Sequence, residues 1–308
     1  SADIVWFKNE GVINITDRLY QNSAGHIGQS RFTNEVNGII NKTEIGSLTL
    51  NQNLFINSGI VNVNSGTLVL SGSLNVEQRG IVNLSLGTSI SSNSNSHLIK
   101  SGAVFNGPGS VNLTGGITTL EIDLTLSTSQ LNGTGGTING SGMLTIASGN
   151  TFTWSAGALK GSNDVLIESG AILNINPSVN VSIQENRRLR NQGTINWTNG
   201  DIHFLPGAGQ FSRLQNENIF NYNISVSKQI LEGSASGTSE FINTATGIIN
   251  KNNSGNLTLS NSLNLFTNSG TIYVNGGNLA CSVLTMEHKG AINLAAATSM
   301  IISGGTHL

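Results

Sequence analysis

Apolar and polar residues alternate along this chain in runs of four to six positions, and the runs break at Gly, Asn or Ser. Gly66-Thr67-Leu68-Val69-Leu70, Ser73-Leu74-Asn75-Val76 and Gly170-Ala171-Ile172-Leu173-Asn174-Ile175 show the pattern. Alternation with a period of two, bounded by turn residues, is the signature of short strands half-buried on one face. No window sustains an apolar face at helical spacing over three turns, so the chain is expected to hold essentially no helix. In the run Gly59-Ile60-Val61-Asn62-Val63 the parity turns Val61 and Val63 inward and Asn62 outward.

The strands recur. Gly59-Ile60-Val61-Asn62-Val63 and Gly80-Ile81-Val82-Asn83-Leu84 lie 21 residues apart. Phe152-Thr153-Trp154 and Ile195-Asn196-Trp197 lie 43 apart, close to twice that. A longer period overlies the short one. Phe32-Thr33-Asn34, followed by Gly38-Ile39-Ile40-Asn41-Lys42, returns as Phe241-Ile242-Asn243, followed by Gly247-Ile248-Ile249-Asn250-Lys251, at an offset of 209. The chain of 308 residues thus holds about one and a half copies of a module of roughly 210 residues.

Two or three short strands per 21 residues predict a parallel β-solenoid of about 14 coils, read as one continuous solenoid over 1–308. A propeller blade would need about 40–45 residues and its own motif. Parallel coils stack like on like, which accounts for the abundance of Asn. Stacked Asn amides bond along the axis, and Asn and Gly tolerate the left-handed backbone of sharp corners. Each coil is expected to bury five or six aliphatic side chains, at about 1.5–3 kcal/mol apiece.

Several phrases resemble a repeat found in very large bacterial surface and secreted β-helix proteins, loosely the adhesin or filamentous-haemagglutinin-like class. They include Trp154-Ser155-Ala156-Gly157-Ala158-Leu159-Lys160-Gly161, Leu189-Arg190-Asn191-Gln192-Gly193-Thr194-Ile195-Asn196-Trp197 and Asn268-Ser269-Gly270-Thr271-Ile272-Tyr273-Val274-Asn275-Gly276-Gly277. The resemblance covers nearly the whole chain and rests on fold motifs. It implies a right-handed parallel β-helix in an extracellular fibrous or adhesive protein of the bacterial cell surface, and it implies no catalytic residue. The chain is accordingly read as a segment of something longer.

Composition narrows the functions. Charged residues are 10% of the chain and its net charge is -2, which removes an electrostatic case for nucleic acid or an anionic membrane. No stretch is long and apolar enough for a transmembrane helix. A single cysteine, Cys281, excludes an intramolecular disulfide and a Cys-based zinc site. At an offset of 211, after two residues inserted in the second copy, its counterpart is Leu70, an apolar strand position, and it reads as a small buried hydrophobe. Trp154 and Trp197 share parity with Phe152 and Ile195, which places them in the core rather than on a sugar-stacking surface.

Few residues suggest chemistry. The five histidines, His26, His97, His203, His288 and His307, include no pair at metal-ligand spacing and read as solvated. Glu121 and Asp123 alternate within Leu120-Glu121-Ile122-Asp123-Leu124. On one strand they would point outward together, the arrangement nearest to the paired acids of β-helical polysaccharide enzymes. A solvated pair is the favoured reading. Arg187, Arg188 and Arg190 form the one basic cluster, a candidate patch for a uronic or sulfated polysaccharide or phosphate, although with Glu185 close by an ordinary surface patch is the favoured reading. Neither a catalytic residue nor a cofactor or metal site is expected.

The reading is a non-enzymatic structural or adhesive rod that continues axially, by self-association or by further repeats. A carbohydrate-binding β-helix module is the alternative, with a surface polysaccharide as partner. A polysaccharide lyase or hydrolase is weakest, because only 16 acidic residues are spread evenly along the chain.

Overall fold

The structure is a computed structural model that describes residues 5–16, 29–233 and 236–308. These residues form strands and turns, with no helix among them. The chain divides into two units, Ser1–Gly142 and Met143–Leu308. Each is a parallel β-solenoid, and together they make about 14 turns. The expected all-β solenoid is what the chain adopts.

A coil of the first unit shows the construction. Strand Asn75–Gln78 turns into Ile81–Leu84, which turns into Ser89–Ser92, and Ser96–Ile99 then begins the next coil. Every strand pairs in parallel with its equivalent one coil away: Ile81 faces Ile60, Val82 faces Val61 and Asn83 faces Asn62. The spacing here is the expected 21 residues. In the second unit it widens to 25 from Thr194 to Ile219 and to 29 from Ile219 to Ile248, as the corner loops lengthen.

Burial follows the alternation. In Ile60–Val63 and Ile81–Leu84 the second and fourth residues are buried and the others half-buried, so Val61 and Val63 point in and Asn62 out. Like residues consequently stack. Phe7, Phe32 and Phe55 form one inner column in the first unit, with ring centroids 5.1 and 5.2 Å apart. Phe220, Phe241 and Phe266 form one in the second, at 5.5 and 5.3 Å. Trp154 and Trp197 are fully buried. Trp197 packs edge-on against Tyr222 at 5.1 Å.

The Asn stacks lie on both sides of the sheets. An outer ladder joins Asn41 to Asn14, Asn62 to Asn41 and Asn83 to Asn62, each amide donating to the next side-chain oxygen at 2.8 Å. An inner ladder runs through Asn9, Asn34 and Asn57 to Gln78, all buried. The second unit has its own, from Asn191 through Asn216 and Asn243 to Asn268, linked at 2.7–2.8 Å. Each inner Asn stands two residues after a core residue and so shares its inward parity. Its second amide N–H turns to a corner carbonyl, as Asn243 does to Gly247 O at 3.1 Å.

Glycine follows the ladder for a steric reason. A Cβ on Gly247 would run into the Asn243 side-chain oxygen, and one on Gly38 into that of Asn34. The duplicated phrase Asn-x3-Gly is therefore one structural device: the amide closes the corner and the glycine makes room for it.

Candidate functional site

Inward polar groups at the corners are the most distinctive chemistry of the interior. Lys42 ends the strand Ile39–Lys42 with the parity of Ile40, so its side chain enters the core and is fully buried. Its ammonium donates to the carbonyls of Glu44, Gly46 and Ser65 at 2.5–2.8 Å. Lys251, its copy at the module offset, donates to Asn253 O and, at 2.5 Å, to Gly276 O. Burial lowers the pKa of both amines, that of Lys251 to about 8. The carbonyl cage supplies what water would otherwise give each ammonium.

Other residues in the same column do the same work with neutral donors. Trp197 Nε1–H donates to Asn199 O and Gly200 O, both at 2.9 Å. Tyr222 O–H reaches Val226 O and Asn256 O at 3.0 and 2.8 Å, and burial pushes its phenol up to about 12. The Lys251 ammonium lies 5.0 Å from the Tyr222 ring. By residue type alone Lys42 and Lys251 pass for surface residues, although their parity with Ile40 and Ile249 marks them as inward.

The three arginines of the basic cluster lie on one strand, Asn186–Asn191, and part ways by parity. Arg187 points in and is fully buried. Its guanidinium donates twice to Lys160 O, at 2.9 and 2.6 Å, and to Asn163 O at 3.3 Å. Burial lowers its pKa to about 10, against the opposing pull of Asp164 and Glu185.

Arg188 and Arg190 point out. Arg188 grips Asp164 with two bonds of 2.7 Å. Arg190 grips Glu217 with bonds of 2.6 and 3.0 Å, and these hold the Glu217 carboxyl below its ordinary range. Arg213 pairs with Glu240 on the neighbouring coils. The cluster is thus a set of forked ion pairs between coils, and an anionic ligand would have to displace a carboxylate from each outward arginine. Lys160 is paired too, with Glu185 at 3.1 Å.

Glu121 and Asp123 do not share a strand. The strand Ile117–Leu120 ends one residue earlier and the next begins at Leu124, so both acids are exposed on a corner. The Glu121 carboxylate lies 3.9 Å from the Lys100 ammonium.

The histidines are dispersed. His97 is buried, which corrects the expectation of a solvated side chain, because it occupies an inward position between Val76 and Thr118. His203 is half-buried on an outward position and His307 is exposed. His288 ends the inner ladder at 3.0 Å from Asn268. His26 lies outside the described residues. Among the described residues no three His, Cys, Asp or Glu side chains are placed to hold a metal ion.

Cys281 sits in the core like Leu70, its counterpart, and burial pushes its thiol up to about 12. The thiolate is the reactive form, so Cys281 is expected to resist an aromatic disulfide reagent in the native protein and to react with one equivalent after denaturation. Stoichiometric native labelling at pH 8, read from the released thiolate absorbance, would contradict that burial.

Comparison with known protein families, curated proteins and solved structures finds no match for this chain.

Proposed function

We propose that the chain works as a non-enzymatic, extracellular β-solenoid of structural or adhesive type on a bacterial surface, extended along its axis by further coils. The observation that carries this reading is where the side chains are spent. Inner amides, outer amides, forked ion pairs and aromatic columns all bond or pack from coil to coil, along the axis. Such an architecture performs by length, stiffness and repetition of surface. The near absence of net charge and the resemblance of the corner phrases to bacterial surface β-helices support the location. The same fold is compatible with carbohydrate binding.

Backbone pairing and matched side-chain columns join each coil to the next, so a second copy or further repeats would add coils in the same way.

Sedimentation velocity of the 308-residue chain is expected to show a mass average that rises with concentration. A wild-type chain that stays monomeric throughout would count against axial self-association, and turnover of any polysaccharide would count against the non-enzymatic reading.

A further inference from the structure

The outer surface of the first unit is sorted by charge. Its second strand in each coil, from Val12–Ile15 through Ile39–Lys42, Ile60–Val63 and Ile81–Leu84 to the first half of Val104–Leu113, presents two ranks outward. One is aliphatic: Val12, Ile39, Ile60, Ile81 and Val104, placed side by side by the parallel register. The other is the ladder Asn14, Asn41, Asn62, Asn83 and Asn106, joined by amide bonds of 2.8–3.4 Å. No outward position of these strands is charged. The outward-facing charges of the unit among the described residues, such as the half-buried Glu35, Glu77 and Lys100 and the exposed Arg79 and Glu121, lie on the first strands and their corners, with Glu44 at the next corner.

The pattern recurs within the second unit. Ile172, Thr194, Ile219 and Ile248 form one rank and Asn174, Asn196, Asn221 and Asn250 the other, again in register and linked at 2.9–3.2 Å.

Each Asn inside such a ladder spends one N–H and one oxygen lone pair on its neighbours. An amide has two of each, so one donor and one acceptor per coil remain directed at the surface. Coils repeat at about 4.8 Å, so five coils make a strip about 20 Å long. Such a strip offers a line of aliphatic contact beside a line of paired donors and acceptors, and no counter-charge.

We propose that this strip binds a neutral, ribbon-like β-linked polysaccharide lying along the axis. A pyranose ring has an apolar C–H face, which suits the aliphatic rank, and hydroxyl edges, each both donor and acceptor, which suit the amide rank. A polyanion, an anionic membrane or a nucleic acid needs positive charge that the strip lacks. A strip that repeats the same two residues coil after coil fits an extended chain of repeating units better than a globular partner. The inference deepens the carbohydrate-binding reading and is independent of axial self-association, which is read by sedimentation.

The test is retention of the whole 308-residue chain on microcrystalline cellulose and on chitin powder, with a polygalacturonate gel as the acidic comparison. The chain should be retained on at least one neutral solid, be insensitive to salt, and be released by the matching soluble hexasaccharide. The double variant Ile60→Lys with Ile81→Lys should bind at least about tenfold more weakly. Leu98→Lys, at an outward position on a first strand, should bind as wild type. Far-UV circular dichroism checks that the variants are folded, and hexasaccharide release reads the site without any substitution.

Failure to be retained on either neutral solid would overturn the proposal. So would retention confined to polygalacturonate and lost in salt. Retention of a folded double variant equal to wild type would also overturn it. If the double variant changes sedimentation and leaves retention untouched, the strip joins copies of the chain and the proposal is wrong.

Discussion

Replacing Asn243 with alanine is expected to lower the stability of the second unit by about 2–4 kcal/mol, several times the effect of replacing Asn221. Both residues are rungs of an Asn ladder with bonds of similar length. Asn243 is fully buried, receives the Asn216 amide at 2.8 Å, and donates to Asn268 Oδ1 at 2.7 Å and to Gly247 O at 3.1 Å. Alanine would strand the Asn268 oxygen where no water replaces the lost donor, and would leave a cavity beside Phe241 and Phe266. Asn216 keeps other partners, Asn218 O and Ile248 O, which limits the loss. Asn221 bonds Asn196 and Asn250 at 3.0 and 2.9 Å on the half-exposed outer surface, where water can take over. Its replacement should cost under about 1 kcal/mol. Urea unfolding of the two variants decides the point: equal losses would mean that the side of the sheet does not govern what a ladder bond is worth.

Stability of the first unit is expected to fall by about 3 kcal/mol as pH drops from 6.5 to 4, through His97 alone. The imidazole is buried between Val76 and Thr118 with neither ring nitrogen hydrogen-bonded, and burial pushes its pKa down from 6.5 to about 4. The unfolded chain takes up the proton near pH 6.5, while the folded chain resists it down to about 4. Between those values the unfolded state binds more protons, so acid favours unfolding and the penalty is complete below the folded pKa.

Replacement by valine, the residue before it in the column, should remove this component and leave the slope due to carboxylates. At neutral pH the variant should be at least as stable as wild type, because two unsatisfied buried nitrogens disappear. Urea midpoints measured from pH 7 to 4 for both proteins provide the comparison. If the His97→Val protein shows the same pH slope as wild type, the histidine is not the titrating group.

Much of this molecule is legible in the chain itself. Alternation with a period of two, recurring every 21 residues, specifies short parallel strands stacked coil on coil, because only that arrangement places every inward residue over its equivalent. The parity of Val61, Trp154, Trp197 and Cys281 suffices to bury them. The duplication that aligns Cys281 with Leu70, after two inserted residues, also aligns Lys251 with Lys42, so it carries the caged ammonium as well, although a charged residue read by type alone passes for a surface one.

Parity also separates Arg187 from Arg188 and Arg190. Only the packed coils decide what each then meets: carbonyls of a corner for the first, carboxylates of neighbouring coils for the other two. Those partners lie 24 to 27 residues away, and the corner loops between them vary in length. The alternation through Glu121 and Asp123 reads as a strand in one dimension, yet a corner falls there, because the place where the chain must turn is set by the coil below. Pattern along the chain determines which side of a sheet a residue faces. What that side touches, and hence whether an amide, an imidazole or a guanidinium is satisfied, is decided by the register between coils, which exists only once the chain has stacked.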